Sequence, residues 1–139
     1  MLGDCVIIMA DGKEKECREI YAGDKILTPT LAHSEIISVH IGKEECGIRI
    51  VTDSGRRVTL SKKNVLLTGQ GPKLVRDIRP GDRLVSENRE QQEVSHIYVD
   101  PIPEKVYRFE TDQASWIYVN GVIVGDITQE KALLHNHPA

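Results

Sequence analysis

The chain has 139 residues, 40% of them hydrophobic and 28% charged, with a net charge of −3. This is the profile of one ordinary soluble domain, long enough to bury roughly two thirds of its chain surface. The absence of a basic block leaves no electrostatic footprint for nucleic acid, and no apolar run reaches the roughly 20 residues of a membrane span. The three cysteines, Cys5, Cys17 and Cys46, are odd in number and fit neither a disulfide framework nor a zinc pattern. A reducing, cytoplasmic setting is therefore expected, with no metal, no cofactor and a monomeric chain.

In chain order, the apolar stretch at 5–9 (CVIIM) is too short for a secretion signal and lacks a basic flank. Residues 18–28 (REIYAGDKILT) contain a Gly-Asp pair before an aliphatic run. Arg18 to Ile20 are expected to form one helical turn, which Gly23 ends in the left-handed conformation where it has no Cβ penalty. Asp24 then bonds the local backbone and starts a strand. Alternation predicts strands at 34–41, 47–51 and 57–60, with a hairpin turn at 52–57 built on Asp53 and Gly55. A breaker follows at 69–72 (GQGP).

Residues 76–86 (RDIRPGDRLVS) then repeat 18–28 at an offset of 58. Arg18, Ile20, Gly23 and Asp24 recur identically as Arg76, Ile78, Gly81 and Asp82. A second echo, IVTD (50–53) against FETD (109–112), lies at an offset of 59. Two copies are too few for a solenoid. They imply a duplicated subdomain, with residues 13–68 and 71–124 related by a pseudo-dyad. Further on come another breaker at 100–103 (DPIP) and strands at 105–111 and 115–119. Asn120-Gly121 between two apolar runs predicts a type I′ hairpin, which needs φ > 0 at both central residues. One helix is expected near 127–135, capped by Asp126 with Gln129 as the return partner. The result is an all-β chain with little helix, divided as 1–126 and a short helix and tail at 127–139.

The opening (GDCVIIMADGKEKECREIYAGDKILT, 3–28) and above all the closing stretch (VYRFETDQASWIYVNGVIVGD, 106–126) resemble the Hint superfamily: inteins, bacterial intein-like domains and the hedgehog autoprocessing domain. The closing match includes Val106-Tyr107, the apolar alternation, Asn120-Gly121 and the aliphatic triplet after it. The family's middle block falls on SKKNVLLT (61–68). The resemblance implies a horseshoe of short strands with both chain ends meeting at a central cleft, and no room for a homing endonuclease. Its partners would be flanking host segments, the exteins.

The family's reaction uses a first-residue thiol or hydroxyl to form a (thio)ester and a middle-block histidine to protonate the departing nitrogen. A penultimate histidine and a terminal asparagine then cleave the C-terminal bond, and a Cys, Ser or Thr beyond accepts the chain. This sequence departs from that set. Cys5 aligns with the threonine of the opening rather than the nucleophile, which would fall at or before Met1. Cys5 is either a buried strand residue or the nucleophile of a shortened opening. Ser61 and Asn64 stand for the middle-block threonine and histidine, and an amide carries no transferable proton near neutral pH. Ser115 stands where a histidine often sits, and Arg108 where an aspartate does. Gly125 and Asp126 replace the terminal pair, and Ile127 is no acyl acceptor. The expectation is an intein-like domain that does not splice. The alternative is a non-catalytic Hint-fold module beside an unknown protein partner. The tail at 135–139 (HNHPA) resembles a His-x-His-Pro zinc motif that lacks its downstream part.

Overall fold

The computed structural model describes residues 1–30 and 32–135. Thirteen strands and one helix are described: β1 (Val6–Ile8), β2 (Glu14–Glu16), β3 (Lys25–Leu27), β4 (His33–Gly42), β5 (Cys46–Thr52), β6 (Arg57–Leu60), β7 (Val65–Thr68), β8 (Gly71–Leu74), β9 (Arg83–Val85), β10 (Gln91–Pro101), β11 (Val106–Thr111), β12 (Trp116–Val119), β13 (Val122–Gly125) and α1 (Ile127–His135). Ten strands make one open antiparallel sheet in the order β2-β1-β12-β13-β7-β9-β10-β5-β6, with β8 paired to β7 off that path. The other three form a second sheet, β11-β4-β3. The core runs between these layers. Ile7, Ile26, Ile36, Ile50, Leu60 and Phe109 among others are shut off from solvent. All four residues of β13 are buried, because α1 packs on that strand as well as on β7, β8 and β11.

Strands stay short because turns recur, and two of those turns carry the same bonds. In the first, the Gly23 amide donates to Ile36 O (2.7 Å), the Ile36 amide to Asp24 O (2.8 Å) and the Asp24 amide to Tyr21 O (3.1 Å). In the second, Gly81 donates to Val94 O (2.8 Å), Val94 to Asp82 O (2.7 Å) and Asp82 to Arg79 O (3.0 Å). The carboxylate of Asp24 accepts from the Tyr21 amide and from Lys15 Nζ, and that of Asp82 from the Arg79 amide and from Lys73 Nζ. Gly23 and Gly81 have φ of 97° and 94°. The glycines do not end the helical turns, as the sequence suggested. Those turns are 3₁₀, Cys17–Glu19 and Val75–Asp77, and each closes on an extended isoleucine, Ile20 or Ile78. Each glycine serves the separate tight turn that follows.

Asn120 and Gly121 have φ of 48° and 83° and join β12 to β13 in the register Val119↔Val122, Trp116↔Gly125. Positive φ at both central residues is the type I′ requirement. The Asn120 side chain also accepts the Val6 amide at 2.8 Å and reaches Arg57 O at 3.3 Å. The hairpin thus ties β1 to β6.

Two further expectations need correction. The eleven-residue β10 is absent from the sequence reading, because its pattern is mostly exposed and it ends in an Asp-Pro breaker. Asp126 does cap α1, its Oδ1 accepting the Gln129 amide at 3.0 Å. Gln129 is not the return partner, however. Its side chain donates to Ala114 O, and the Asp126 amide donates instead to Ser115 O. Of the His-rich tail, residues 136–139 lie outside the described residues.

Candidate functional site

Met1 and the closing segment around Asp126 and Glu130 converge on β11. The Met1 amine donates to Tyr107 O at 3.1 Å, and the Tyr107 amide returns to Met1 O at 2.7 Å. Met1 is buried. Burial lowers the pKa of its amine, against the pull of nearby Cys5, Cys17, Glu44 and Glu130.

The middle block folds into a tight loop before β7. The Ser61 amide donates to Asn64 Oδ1 at 2.9 Å, and the Asn64 amide donates back to Ser61 O at 3.0 Å. Ser61 Oγ donates to Glu44 Oε1 at 2.8 Å and accepts the Lys63 amide at 3.2 Å. Asn64 Nδ2 points the other way, toward Glu130 Oε2 at 3.5 Å. Both side chains are fully buried and serve loop geometry first.

Glu130 is the residue that sequence reasoning missed. It is 1% exposed, and its Oε1 is held by Arg108 through Nη2 (2.8 Å) and Nε (3.0 Å). Burial pushes its carboxyl pKa up, against the pull of Arg108. A buried carboxylate of this kind is costly unless paired, which accounts for an arginine after Val106-Tyr107. The signal available in the sequence was that unexplained arginine, together with a glutamate one helical turn past the Asp126 cap.

At the closing end Asp126 is 1% exposed and fully engaged. Oδ2 accepts the Thr111 amide (3.0 Å) and the Thr111 hydroxyl (2.8 Å), and Oδ1 accepts the Gln129 amide. Its own carbonyl accepts the Glu130 amide at 3.0 Å, the first bond of α1. Gly125 is small for a packing reason. A Cβ there would stand 2.7 Å from the Gln129 Cβ and 3.2 Å from Trp116 Cζ3, so no histidine fits while α1 is docked. Ser115, at a position where the family often has histidine, donates to Ser34 Oγ (2.7 Å), which donates to Asp112 Oδ1 (2.8 Å). The Ser34 hydroxyl and the Glu35 amide hold the Asp112 carboxyl below its ordinary range.

Cys5 lies in the core beside Cys17, near the Met1 amine. It is 2% exposed, and its amide donates to Leu2 O. Its neighbour is Cys17, not Ser61, Asn64 or Asp126. The structure therefore links Ser61, Asn64 and Arg108 to the closing end through Glu130, and places Cys5 in the core. Among the described residues no cluster of His, Cys, Asp and Glu has metal-binding geometry.

No family model matches the sequence, and no curated protein matches it. Solved structures do. The gp41-1 intein superposes with a TM-score of 0.77 at 18% identity, over 87% of this chain and 93% of that one. The bacterial intein-like domain from Clostridium thermocellum gives 0.77 at 19% identity, over 88% and 94%. A DnaB intein from Synechocystis sp. PCC 6803 gives 0.76 at 17%, over 89% and 95%. Two short-stranded open sheets, Met1 and the closing segment converging on β11, and near-complete coverage of these intein structures give the chain the Hint fold.

Proposed function

We propose that this chain is an intein-like domain of the protein-splicing and autoprocessing kind that keeps the frame of the fold and does not complete splicing. The observation that carries this reading is the state of Asp126. The terminal step of splicing needs a side-chain amide nitrogen that attacks its own peptide carbonyl. Asp126 has a carboxylate, its oxygens accept bonds from Thr111 and Gln129, and its carbonyl begins a helix. Gly125 offers no imidazole, and Ile127 no nucleophile. The upstream half is equally short of parts: Asn64 stands where a histidine would donate a proton, forgoing the roughly 10²–10⁴-fold that acid–base help contributes. The equivalent bonds of the Gly23 and Gly81 turns support an internal duplication of residues 13–68 and 71–124 as part of this reading. The same cap favours a second reading, in which the domain is a non-catalytic module that holds a protein partner.

The test is a fusion of the chain between two reporter domains, followed by intact mass over a long incubation with and without a strong thiol. Unchanged mass in both conditions is the expected result. Ligated flanks overturn the proposal. Thiol-dependent cleavage before Cys5, abolished by Cys5→Ala, overturns the module reading and leaves a processing domain reduced to its first step.

A further inference from the structure

We propose that Cys5 and Cys17 form a reversible cross-strand disulfide, a modification site in the first hairpin of the fold. The register of β1 and β2 is Val6↔Glu16, Ile7↔Lys15, Ile8↔Glu14. One step further places Cys5 directly opposite Cys17, and the Cys17 amide donates to Cys5 O at 2.8 Å. With the Cys5 amide turned to Leu2 O and Cys17 opening the 3₁₀ turn, the two residues face each other just beyond the paired strands. Facing residues of an antiparallel pair have Cα atoms about 4.5–5.5 Å apart, within the range that a disulfide spans. Both side chains point into the core, at 2% and 0% exposure, so both thiols leave the same face of the hairpin. Their thiols interact. The contact with Cys17 holds the Cys5 thiol below its ordinary pKa, and the same contact together with burial pushes Cys17 up. The fold thus sets the two thiols side by side in the core. Cys46 lies away from both, opposite Pro101 at the start of β5.

Small disulfides such as oxidised glutathione supply the oxidising equivalents. The Cys5 thiolate attacks one sulfur of glutathione disulfide, forming a mixed disulfide and releasing one glutathione thiolate. The Cys17 sulfur then attacks the Cys5 sulfur, and its proton passes to the departing glutathione thiolate. The Cys5–Cys17 bond forms and the second glutathione leaves. Two protein thiols are oxidised, and one glutathione disulfide is reduced to two thiols. Since both sulfurs are buried, equilibrium is reached by exchange during opening or refolding of the hairpin. This inference stands apart from the splicing reading: it concerns redox state, and it holds whether or not the domain cleaves anything. Its consequence for that reading is that the oxidised form withdraws Cys5.

The experiment uses the full chain with Cys46→Ala, refolded in a series of glutathione redox buffers, with a parallel series in strong urea. Acid quenching, alkylation and intact mass then count free thiols. The expected product is lighter than the reduced chain by about 2 Da, two hydrogens, and returns to the reduced mass with a strong thiol. At one buffer ratio the disulfide-to-dithiol ratio should be at least roughly tenfold higher for the folded chain than in urea, because the fold holds the two sulfurs together. Peptide mapping of the wild-type chain should find Cys5 joined to Cys17. Equal ratios in the two series, or a wild-type map dominated by pairs with Cys46, would overturn the proposal.

Discussion

The two Gly-Asp turns and the closing end at 125–130 spend the same kinds of residue in opposite ways. In the turns, glycine is present for its backbone: a Cβ at Gly23 or Gly81 would meet nothing within 4 Å, yet φ is near +95° at both. At Gly125 the reverse holds, since crowding by Gln129 and Trp116 excludes a side chain. The turn aspartates are about a quarter exposed, and their carboxylates bond their own loop and one lysine. Asp126 and Glu130 are buried and bond across the molecule to β11. The same turn geometry thus occurs at two places in the frame of the fold, whereas the end of the domain is held by tertiary contacts to β11.

The largest expected effect comes from the closing end. Asp126→Ala removes the helix cap and strands the buried Thr111 amide, and should cost about 3 kcal/mol in a denaturant melt. A cost no larger than that of an exposed cap would mean that the Thr111 bonds contribute little. Next come the turns. Gly23→Val and Gly81→Val should each destabilise by about 2 kcal/mol, because a β-branched residue is strained at positive φ. With open space at both sites the two costs should agree closely. A difference between them as large as the effect itself would break the equivalence of the turns.

The smallest effect is one of pH. Glu130 has a folded pKa raised by burial above its ordinary 4.5. Its contribution to stability is therefore complete below the unfolded value and is lost as pH rises through the folded one. Asp24, Asp82 and Asp112, with lowered values, act with the opposite sign. For Asp24 and Asp82 burial is the largest influence and pushes upward, but the bonds from Lys15 and Tyr21, or from Lys73 and Arg79, together outweigh it. These three titrate alike in wild type and Glu130→Gln, so the difference between the two proteins reports Glu130 together with the Met1 amine coupled to it. On going from about pH 4.5 to neutral, wild type should lose stability relative to Glu130→Gln. A difference that stays flat or reverses would show that Arg108 fully offsets the burial of the carboxylate.

What the sequence made legible follows the same division. The positive φ of the Gly-Asp turns, the Asn120-Gly121 hairpin and the Asp126–Gln129 cap bond are local, and their residue types state them. The pairing of Arg108 with Glu130 spans 22 positions and depends on where α1 docks, which no local pattern encodes. A glutamine three residues past an aspartate, as Gln129 is past Asp126, fits a capping box in sequence. The Ala114 carbonyl, held nearby by the positive φ of that residue, competes for it successfully. The strand at 91–101 is hidden because Val94 is its one buried residue, so no apolar alternation marks it, and its end carries the turn signal Asp-Pro.

The most direct test of whether the closing end is a fixed structural element, rather than a junction poised to react, is native-state hydrogen exchange at the Thr111 and Gln129 amides. Both donate to the Asp126 carboxylate. The account predicts that the Thr111 amide exchanges only with global unfolding, at the same free energy as the core amides of Ile117 and Val124, with the Gln129 amide also protected. Rapid exchange at Thr111 and Gln129 while those core amides stay protected would show that Asp126 releases its partners in the native state, and would contradict it.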